Sequence, residues 1–525
     1  MKGMEIKLKI NITKKETIIL IAIILIQSII YVVTGINKQY IHMDEAYSLG
    51  LANYDKVEIQ ANEDFYDNWH SGAYYEDYLT VNEDDKFLEP VYENQKNDVH
   101  PPLYYLLLRT AMQFNIGKYS KWPGIILNMI IYVAITIFIH LIAKEIVRDT
   151  KKSAIVAFLS ALSLASLDCV IYIRMYALAT LNILVATYLH LKLFKKEEKY
   201  LYVLIGISAL IGSLTHYYYL FYLAMLFIIL VIKFIKEKKY KELRNYIITM
   251  CIAAGLSLLI FPYSINHMFF GYRGQGAISN LLNIRKFTES IALYVIKVNT
   301  YVFNNILCLI IVIMLITIIY KKIRREKIFE EKNKLMKLII LPTIFYFILV
   351  AVSSPWIELR YIMPICPMIF LIVMYYLYRI IESINKPIIS KIIISIISII
   401  FLLAPFIYKL EPEVMYSDKK EIVDTIKEKY NVPALYIFNT QNNRFLDDIY
   451  LFSILDESYI AKDMDCTEES IKSILNNKDV SKGIILFINE GNDNDKIINT
   501  IIKAENLNKC TYLKRLNAAD AYYIE

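Results

Sequence analysis

Residues 17–36 read TIILIAIILIQSIIYVVTGI, and this uncharged, largely apolar run decides the architecture of the chain. About 20 apolar residues are what a helix needs to cross the hydrocarbon core of a bilayer. The run is long and rich in isoleucine, and no small-x-small cleavage site follows it. We therefore interpret it as an uncleaved membrane anchor and not as a signal peptide.

Similar apolar runs recur along most of the chain. Of its 525 residues 56% are hydrophobic, only 14 are glycine, and the mean hydropathy is +0.40, which is far from a soluble globular average. We predict eleven membrane spans, near 17–36, 122–143, 153–173, 175–193, 200–215, 217–234, 246–264, 302–320, 336–353, 361–381 and 388–408. The sequence thus predicts a polytopic α-helical membrane protein.

The distribution of charge predicts the orientation of these spans. Lysine and arginine concentrate in alternate loops, such as 144–152, 233–244 and 321–337, and such loops face the cytoplasm. The loop at 37–100 carries fifteen acidic residues against four lysines and is placed outside, as is the region that follows the eleventh span. The net charge of +7 comes from the cytoplasmic loops, so it indicates topology and anionic lipid headgroups and not nucleic-acid binding.

The chain divides into two predicted domains. Residues 1–410 form the membrane domain, with 37–121 as a long outer loop that contains interfacial helices, and 411–525 form a small extracytoplasmic α/β domain. This second domain serves either acceptor recognition or bracing. Its two cysteines could form a disulfide, which the sequence does not decide. Its predicted strands are 432–438, 483–489 and 521–524, and its predicted helices are 418–430, 467–476 and 494–505.

Two short motifs lie at the two ends of the outer loop. His42–Ser48, HMDEAYS, follows the first span, and Val99–Tyr105, VHPPLYY, closes the loop as the chain returns to the bilayer. Asp44 and Glu45 are either solvated charges or carboxylates close to low dielectric that act as a base. His100 either only opens an interfacial helix or directs its imidazole at a phosphate or carboxylate.

Four more ionisable residues are predicted at the outer ends of spans. Asp168 and Arg174 either form a structural ion pair or reach a common outer cavity. Arg360 is either a snorkelling cation or a clamp for phosphate, and His216 stands in a tyrosine-rich turn. A second outer loop, 265–300, either gates a substrate or is a connector.

In combination these motifs resemble the GT-C glycosyltransferases, in particular the bacterial relatives of protein O-mannosyltransferases and of the lipid A aminoarabinose transferase. The resemblance spans roughly residues 15–380 and does not cover the C-terminal domain. The matching motifs are Asp44-Glu45, His100-Pro101-Pro102-Leu103-Tyr104-Tyr105, Arg174-Met175-Tyr176-Ala177-Leu178, Thr215-His216-Tyr217 and Arg360-Tyr361-Ile362-Met363-Pro364.

The resemblance implies inverting transfer of a sugar from a polyprenyl monophosphate to an acceptor hydroxyl at the outer face of the bacterial cell membrane. Asp44 would deprotonate the acceptor, with Glu45 assisting. The donor phosphate would be held by His100, Arg174 and Arg360. Acceptor-side support would come from Asp168, His216 and Tyr176.

Two departures from the family pattern bear on these roles. His100 replaces the lysine that the aminoarabinose transferase type has before the double proline, and Ile173 stands where relatives often have an acidic residue. No cofactor is required by the sequence; a divalent metal held by Asp44 and Asp168 is a further option. The sugar is not predicted, and the acceptor is a glycan, a glycolipid or a protein.

A transporter or flippase of lipid-linked sugars is the alternative from a different class. It predicts broken helices and charged residues near the bilayer midplane. A third alternative is an inactive sensor or scaffold that keeps the fold, against which the intact Asp44, His100 and Arg174 argue.

Overall fold

The computed structural model describes residues 13–55, 58–82, 88–280, 284–326 and 333–525. Its strands are β1 Trp69–Ser71, β2 Ala434–Phe438, β3 Glu457–Lys462, β4 Ile484–Asn489, β5 Cys510–Arg515 and β6 Ala519–Ile524. Its helices are α1 Lys14–Asn37, α2 Met43–Asn53, α3 Gly72–Leu79, α4 Glu89–Asn97, α5 Leu103–Met112, α6 Trp122–Val147, α7 Thr150–Ala161, α8 Leu164–Ile171, α9 Tyr176–Lys195, α10 Lys199–Ser213, α11 Tyr219–Lys236, α12 Tyr240–Ile260, α13 Tyr272–Asn280, α14 Ile284–Lys297, α15 Leu307–Ile323, α16 Lys337–Ser353, α17 Cys366–Glu382, α18 Pro387–Ile407, α19 Lys420–Glu428, α20 Ile449–Phe452, α21 Glu468–Leu475 and α22 Asn494–Glu505.

The predicted spans coincide with apolar helices. Within the described ranges, eight helices are long and apolar enough to cross a membrane, and the number rises to ten if each of two bent pairs is one span. The bends are 55° between α7 and α8 and 94° between Phe287–Val302 and α15. The fifth predicted span, 200–215, is the apolar helix α10, whose 15 residues are fewer than a straight crossing requires.

Local polar residues account for both bends. Ser163 caps the start of α8, because its hydroxyl oxygen accepts a hydrogen bond from the Ser166 amide at 3.3 Å. Before α15, Asn304 and Asn305 have φ of 50° and 65°, the left-handed region that asparagine tolerates better than most residues. These residues stop one helix and begin the next in a new direction.

One compact unit contains the membrane helices: the chain up to Gly35, Val99–Tyr104 and Ile125–Glu413. An ion cluster in it joins α1 to α6: Lys144 Nζ lies 2.7 Å from both carboxylate oxygens of Glu16, and His140 Nε2 lies 2.7 Å from one of them. Since a buried carboxylate is costly without partners, this cluster fixes the packing of the two helices.

The other compact unit is Ile36–Asp98, Tyr105–Gly124 and Val414–Glu525. Its six-stranded sheet has the order β1-β3-β2-β4-β6-β5, with β3, β2 and β4 parallel and the other pairs antiparallel. The division differs from the sequence-based domains, since strand β1 and most of the outer loop belong with the C-terminal region. The outer loop therefore contributes to the α/β fold.

The sheet is built around two central strands. Every residue of β2 and of β4 is buried, as expected for parallel strands covered by helices. Leu486 and Ile488 pack in one core with Ile471 of α21 and Ile501 of α22. Cys466 and Cys510 both have free thiols in this structure, so the disulfide option finds no support here.

Candidate active site

Helix α2 of the second unit presents the acidic motif. His42 is its N-cap, with Nδ1 accepting from the Asp44 amide at 3.0 Å, and the Glu45 carboxylate accepts from the His42 amide at 2.8 Å. Lys38 Nζ donates to both Glu45 oxygens at 2.7 Å, and both side chains are fully buried. The carboxylate of Glu45 is therefore engaged in fixing the start of the helix.

Asp44 differs from its neighbour in exposure. Its side chain is 17% exposed, and one carboxylate oxygen lies 3.9 Å from His42 Nδ1. Its negative charge also acts on Asp447 of the same unit: burial, opposed by Arg444 and reinforced by Asp44, raises the pKa of Asp447 to about 6. Asp44 is thus the member of the acidic pair that a ligand can reach.

The other end of α2 is fixed as firmly. Arg109 is fully buried, and its Nη1 donates to the carbonyl oxygens of Ala52 at 2.9 Å and Asn53 at 3.0 Å, which satisfies the last carbonyls of the helix. At Gly50 a Cβ would lie 2.1 Å from the Tyr78 ring, so the helix packs against that ring without a side chain between them. Contacts at both ends therefore preorganise Asp44.

Three predicted site residues of the membrane unit come together around His216. The His216 ring lies 6.2 Å from the His100 ring and 5.6 Å from the Tyr176 ring, measured between centroids. Its Nδ1 accepts from the Tyr218 amide at 3.0 Å. Burial, together with electrostatic interactions with the nearby His100 and Arg174, lowers the pKa of His216 well below its ordinary value.

The tight turn that holds His216 is fixed by the sequence around it. At Gly212 a Cβ would lie 2.2 Å from the Tyr219 ring, so only glycine allows the end of α10 to approach the start of α11. The Asn182 amide donates to the Thr215 hydroxyl at 2.9 Å, and the Leu103 amide donates to the Leu214 carbonyl at 3.0 Å. These bonds tie the His216 turn to α9 and to the segment that follows His100.

Arg360 is held in a 3₁₀ turn, Leu359–Tyr361, and is only 7% exposed. Its Nη1 donates to the Tyr172 hydroxyl at 3.1 Å, and its Nε lies 2.9 Å from a Glu358 carboxylate oxygen. The Tyr172 ring stacks on the Tyr176 ring, with centroids 6.0 Å apart and planes at 8°. Arg360 is thus connected through two tyrosines to His216.

Asp168 and Arg174 lie on either side of Tyr172. Asp168 is fully buried in α8, and its carbonyl accepts from the Tyr172 amide at 2.9 Å. Arg174 follows that helix, is 5% exposed, and its amide donates to the Tyr172 carbonyl at 2.7 Å. Because Arg174 contributes to the pKa shift of His216, its charge belongs to the same cluster.

The second outer loop also reaches this cluster. The Arg273 guanidinium lies over the Trp356 ring, 4.6 Å from its centroid, and the Arg360 guanidinium lies 5.9 Å from the same centroid. His267 Nδ1 lies 2.9 Å from the Tyr217 hydroxyl. That the loop gates a substrate stays a prediction.

Sequence reasoning missed three residues of these sites. Tyr172 lies inside the predicted third span, where tyrosine is unremarkable, and Trp356 stands in a short turn without a motif. Lys38 had a usable signal, because it is one of four lysines in a loop with fifteen acidic residues. A cation placed seven residues before Glu45 fits an internal ion pair.

The described residues contain no group of three or more His, Cys, Asp or Glu side chains that could hold a metal ion. Asp44 and Asp168, named as metal ligands from the sequence, belong to different compact units. The option of a divalent metal held by Asp44 and Asp168 therefore stays a prediction.

The two units together define a polytopic α-helical membrane protein with a small α/β domain, and its fold is of the GT-C type that the motifs predict. The crystal structure of ArnT from Cupriavidus metallidurans bound to undecaprenyl phosphate matches it with a TM-score of 0.53 and 10% identity, over 97% of each chain. The apo crystal structure of that ArnT has a TM-score of 0.45 and 8% identity, over 97% of each chain. No family model matches the sequence, and no curated protein matches it.

Proposed function

We propose that this protein transfers a sugar from a polyprenyl monophosphate to an acceptor hydroxyl at the outer face of the bacterial cytoplasmic membrane. The observation that carries the proposal is the cluster of Arg174, Arg360, His100 and His216 among the ends of the membrane helices. Buried arginines (Arg174 and Arg360), together with the buried His216 and the partly buried His100, suit a phosphate whose lipid chain stays in the bilayer.

The donor phosphate is assigned to this cluster. Arg360 offers a planar guanidinium whose orientation is fixed by Tyr172 and Glu358, so little conformational freedom is lost when it binds phosphate. His100 and Arg174 add donors, and the Tyr176 ring packs beside the His216 ring. The structural neighbour that binds undecaprenyl phosphate supports this assignment at the level of the fold.

The acceptor is assigned to Asp44. In a single displacement, Asp44 takes the proton of the acceptor hydroxyl, and the oxygen forms a bond to the anomeric carbon. The bond from that carbon to the phosphate oxygen breaks, and polyprenyl phosphate leaves with its charge stabilised by the arginines. Glu45 acts as a positioning residue, since Lys38 and the His42 amide occupy its carboxylate.

Transfer of labelled sugar from a panel of polyprenyl-phosphate sugars, in membranes containing the full chain, tests the proposal. We expect transfer by the wild type and a loss of about 10³-fold or more in Asp44→Asn, because general-base catalysis and positioning act together. Asp55→Asn, which changes an exposed carboxylate just after α2, is the matched control and retains activity. Equal rates for Asp44→Asn and the wild type would refute Asp44 as the base.

A flippase of lipid-linked sugars is the second candidate, and the two bent helix pairs favour it, since broken helices are typical of transporters. Asp168 lies in one of these pairs. The same membranes distinguish the two functions: a flippase moves labelled lipid-linked sugar across vesicles without forming a sugar–acceptor product, whereas a transferase forms the product.

A further inference from the structure

The second unit contains a pocket of about 330 Å³ that the proposed reaction has not used. One wall is the outer loop from Glu58 to Tyr66, and the other is formed at the carboxyl ends of β2 and β3 by Phe438, Thr440 and Lys462. Open α/β sheets bind ligands just outside the carboxyl ends of their parallel strands. The pocket therefore lies where this fold places small-molecule sites.

Hydrogen bonds between the two walls preform the pocket. The Asp67 amide donates to the Ile460 carbonyl at 2.9 Å, and the Lys462 amide donates to the Asp67 carboxylate at 3.0 Å. Across the pocket, Gln60 Nε2 donates to Asn443 Oδ1 at 2.8 Å. Binding thus requires little ordering of the outer loop, which favours affinity.

The lining combines aromatic rings with neutral hydrogen-bonding groups. The rings of Tyr66 and Phe438 lie 5.2 Å apart, and Gln60 and Asn443 contribute amides. Within the described residues, the hydrogen bonds of these two side chains use Gln60 Nε2 and Asn443 Oδ1. Gln60 Oε1 can therefore accept a hydrogen bond from a ligand, and Asn443 Nδ2 can donate one. A sugar ring has hydroxyl groups that both donate and accept, and apolar C–H faces that pack on aromatic rings.

The charges of the lining argue against an anionic ligand. Glu58 and Lys462 balance each other, and the Lys462 ammonium lies 4.7 Å from the centre of the Tyr66 ring. A volume of about 330 Å³ is near the lower end of the range for small-molecule sites, about 300–1,000 Å³. One neutral ring suits it better than an extended peptide.

The pocket is also linked to the proposed base. The Tyr47 hydroxyl donates to Glu58 Oε1 at 3.4 Å, and Tyr47 lies three residues after Asp44 on α2, which places the two side chains on one face. A ligand beside Glu58 is therefore close to the turn that presents Asp44.

We propose that this pocket binds a neutral sugar ring of the acceptor, so that the acceptor is a glycan or a glycan-bearing lipid. Tyr66 and Phe438 would pack against the ring, and Gln60, Asn443 and Glu58 would bond its hydroxyls. That the bound sugar belongs to the acceptor rests on the proposed function. That the pocket binds a sugar does not depend on it.

Direct binding tests the pocket without any donor. Full-length protein in lipid nanodiscs is titrated with maltotriose and with chitotriose, and bound sugar is followed by saturation-transfer NMR. We expect one of these probes to bind, with affinity reduced about tenfold or more in Gln60→Ala/Asn443→Ala and in Tyr66→Leu. Tyr512→Leu, on the opposite edge strand β5 and 54% exposed, is the matched control and should leave binding unchanged.

Each outcome bears on the pocket separately from the transfer reaction. Failure of both probes to bind the wild type, or unchanged binding in all pocket variants that melt like the wild type, overturns the proposal. Preferential binding of a serine- and threonine-containing peptide also overturns it. If sugar binds as expected while no transfer is found in membranes, the pocket stands and the proposed function fails.

Discussion

The two compact units surround their proposed site residues with different chemistry. In the membrane unit, Arg174 and Arg360 lie with two histidines and two stacked tyrosines. In the second unit, Asp44 acts electrostatically on the buried Asp447. Under the proposed function, the positive groups would stabilise the departing phosphate and Asp44 would take the proton of the acceptor hydroxyl.

The largest expected effect is on the stability of the second unit, when Glu45 loses its charge. Glu45→Gln leaves the buried Lys38 ammonium without its carboxylate, and removal of one partner of a buried ion pair costs about 3–5 kcal/mol. We expect a marked fall in the melting temperature of the detergent-solubilised protein. Glu93→Gln breaks the exposed Lys96–Glu93 pair of the same unit and should cost less than about 1 kcal/mol.

A second variant separates structure from chemistry at this position. Lys38→Met/Glu45→Gln removes the stranded charge, so it should recover much of the stability that Glu45→Gln loses. If Glu45→Gln instead melts like the wild type and loses transfer, Glu45 takes part in the reaction and is not only a positioning residue.

The sequence predicted the fold of the membrane unit better than the fold of the second unit. Apolar runs of about 20 residues located the helices, because bilayer thickness constrains each run independently of the others. The sequence did not predict that Trp69–Ser71 of the outer loop would pair with β3, since a three-residue strand has no pattern of its own. Long-range pairing of that kind depends on the packed sheet and not on local propensity.

The same contrast holds for the sites. The motifs predicted His100, Arg174, His216 and Arg360 as site residues; the structure places His100 and Arg174 near His216, and their roles stay predictions. Strand β5 was missed because it is a largely exposed edge strand with the mixed sequence CTYLKR. The pocket at Gln60 and Asn443 joins residues 383 positions apart, which no local pattern reveals.

The next largest effect concerns Arg360 of the membrane unit and the binding of the donor phosphate. Arg360→Lys keeps a positive charge but loses the planar group that reaches Tyr172 and Glu358, so a single ammonium cannot reproduce its hydrogen bonds. We expect kcat/KM for the donor to fall about 10²-fold, measured as initial rates over a range of donor concentrations. Arg324→Lys changes an exposed arginine of the same unit and serves as the control. Full activity in Arg360→Lys would refute the role of the Arg360 guanidinium in binding the donor phosphate.

A smaller effect concerns the carboxylates beside Asp44. The pKa of Asp447, raised to about 6, lies above its unfolded value, so the folded protein binds the extra proton between about pH 4 and 6. The stability that protonation provides is present below that range and is lost as the pH rises through 6. Asp447→Asn should therefore raise the melting temperature at pH 7.5, by an amount equivalent to about 2 kcal/mol.

The sign of that change is the discriminating result. The gain of Asp447→Asn over the wild type should shrink as the pH falls towards 4, since the wild-type carboxyl is then protonated as well. Asp447→Asn also removes the ion-pair partner of Arg444. Because this arginine is half-exposed, the loss of the pair costs little stability. A destabilised Asp447→Asn at pH 7.5 would mean that the Arg444 ion pair outweighs the burial of Asp447.

The smallest effect tests whether His216 belongs to the phosphate site. Its pKa lies well below the ordinary value in the free protein because of burial and of electrostatic interactions with His100 and Arg174, and a bound phosphate would raise the pKa again. Binding then takes up a proton, so the Kd for undecaprenyl phosphate should fall as the pH decreases from 8 to 5.5, by less than about tenfold per pH unit for one proton. His216→Gln should flatten this dependence, whereas His70→Gln, in the second unit, should leave it intact. An unchanged pH profile in His216→Gln would place the phosphate away from this histidine and leave Arg174 and Arg360 as its ligands.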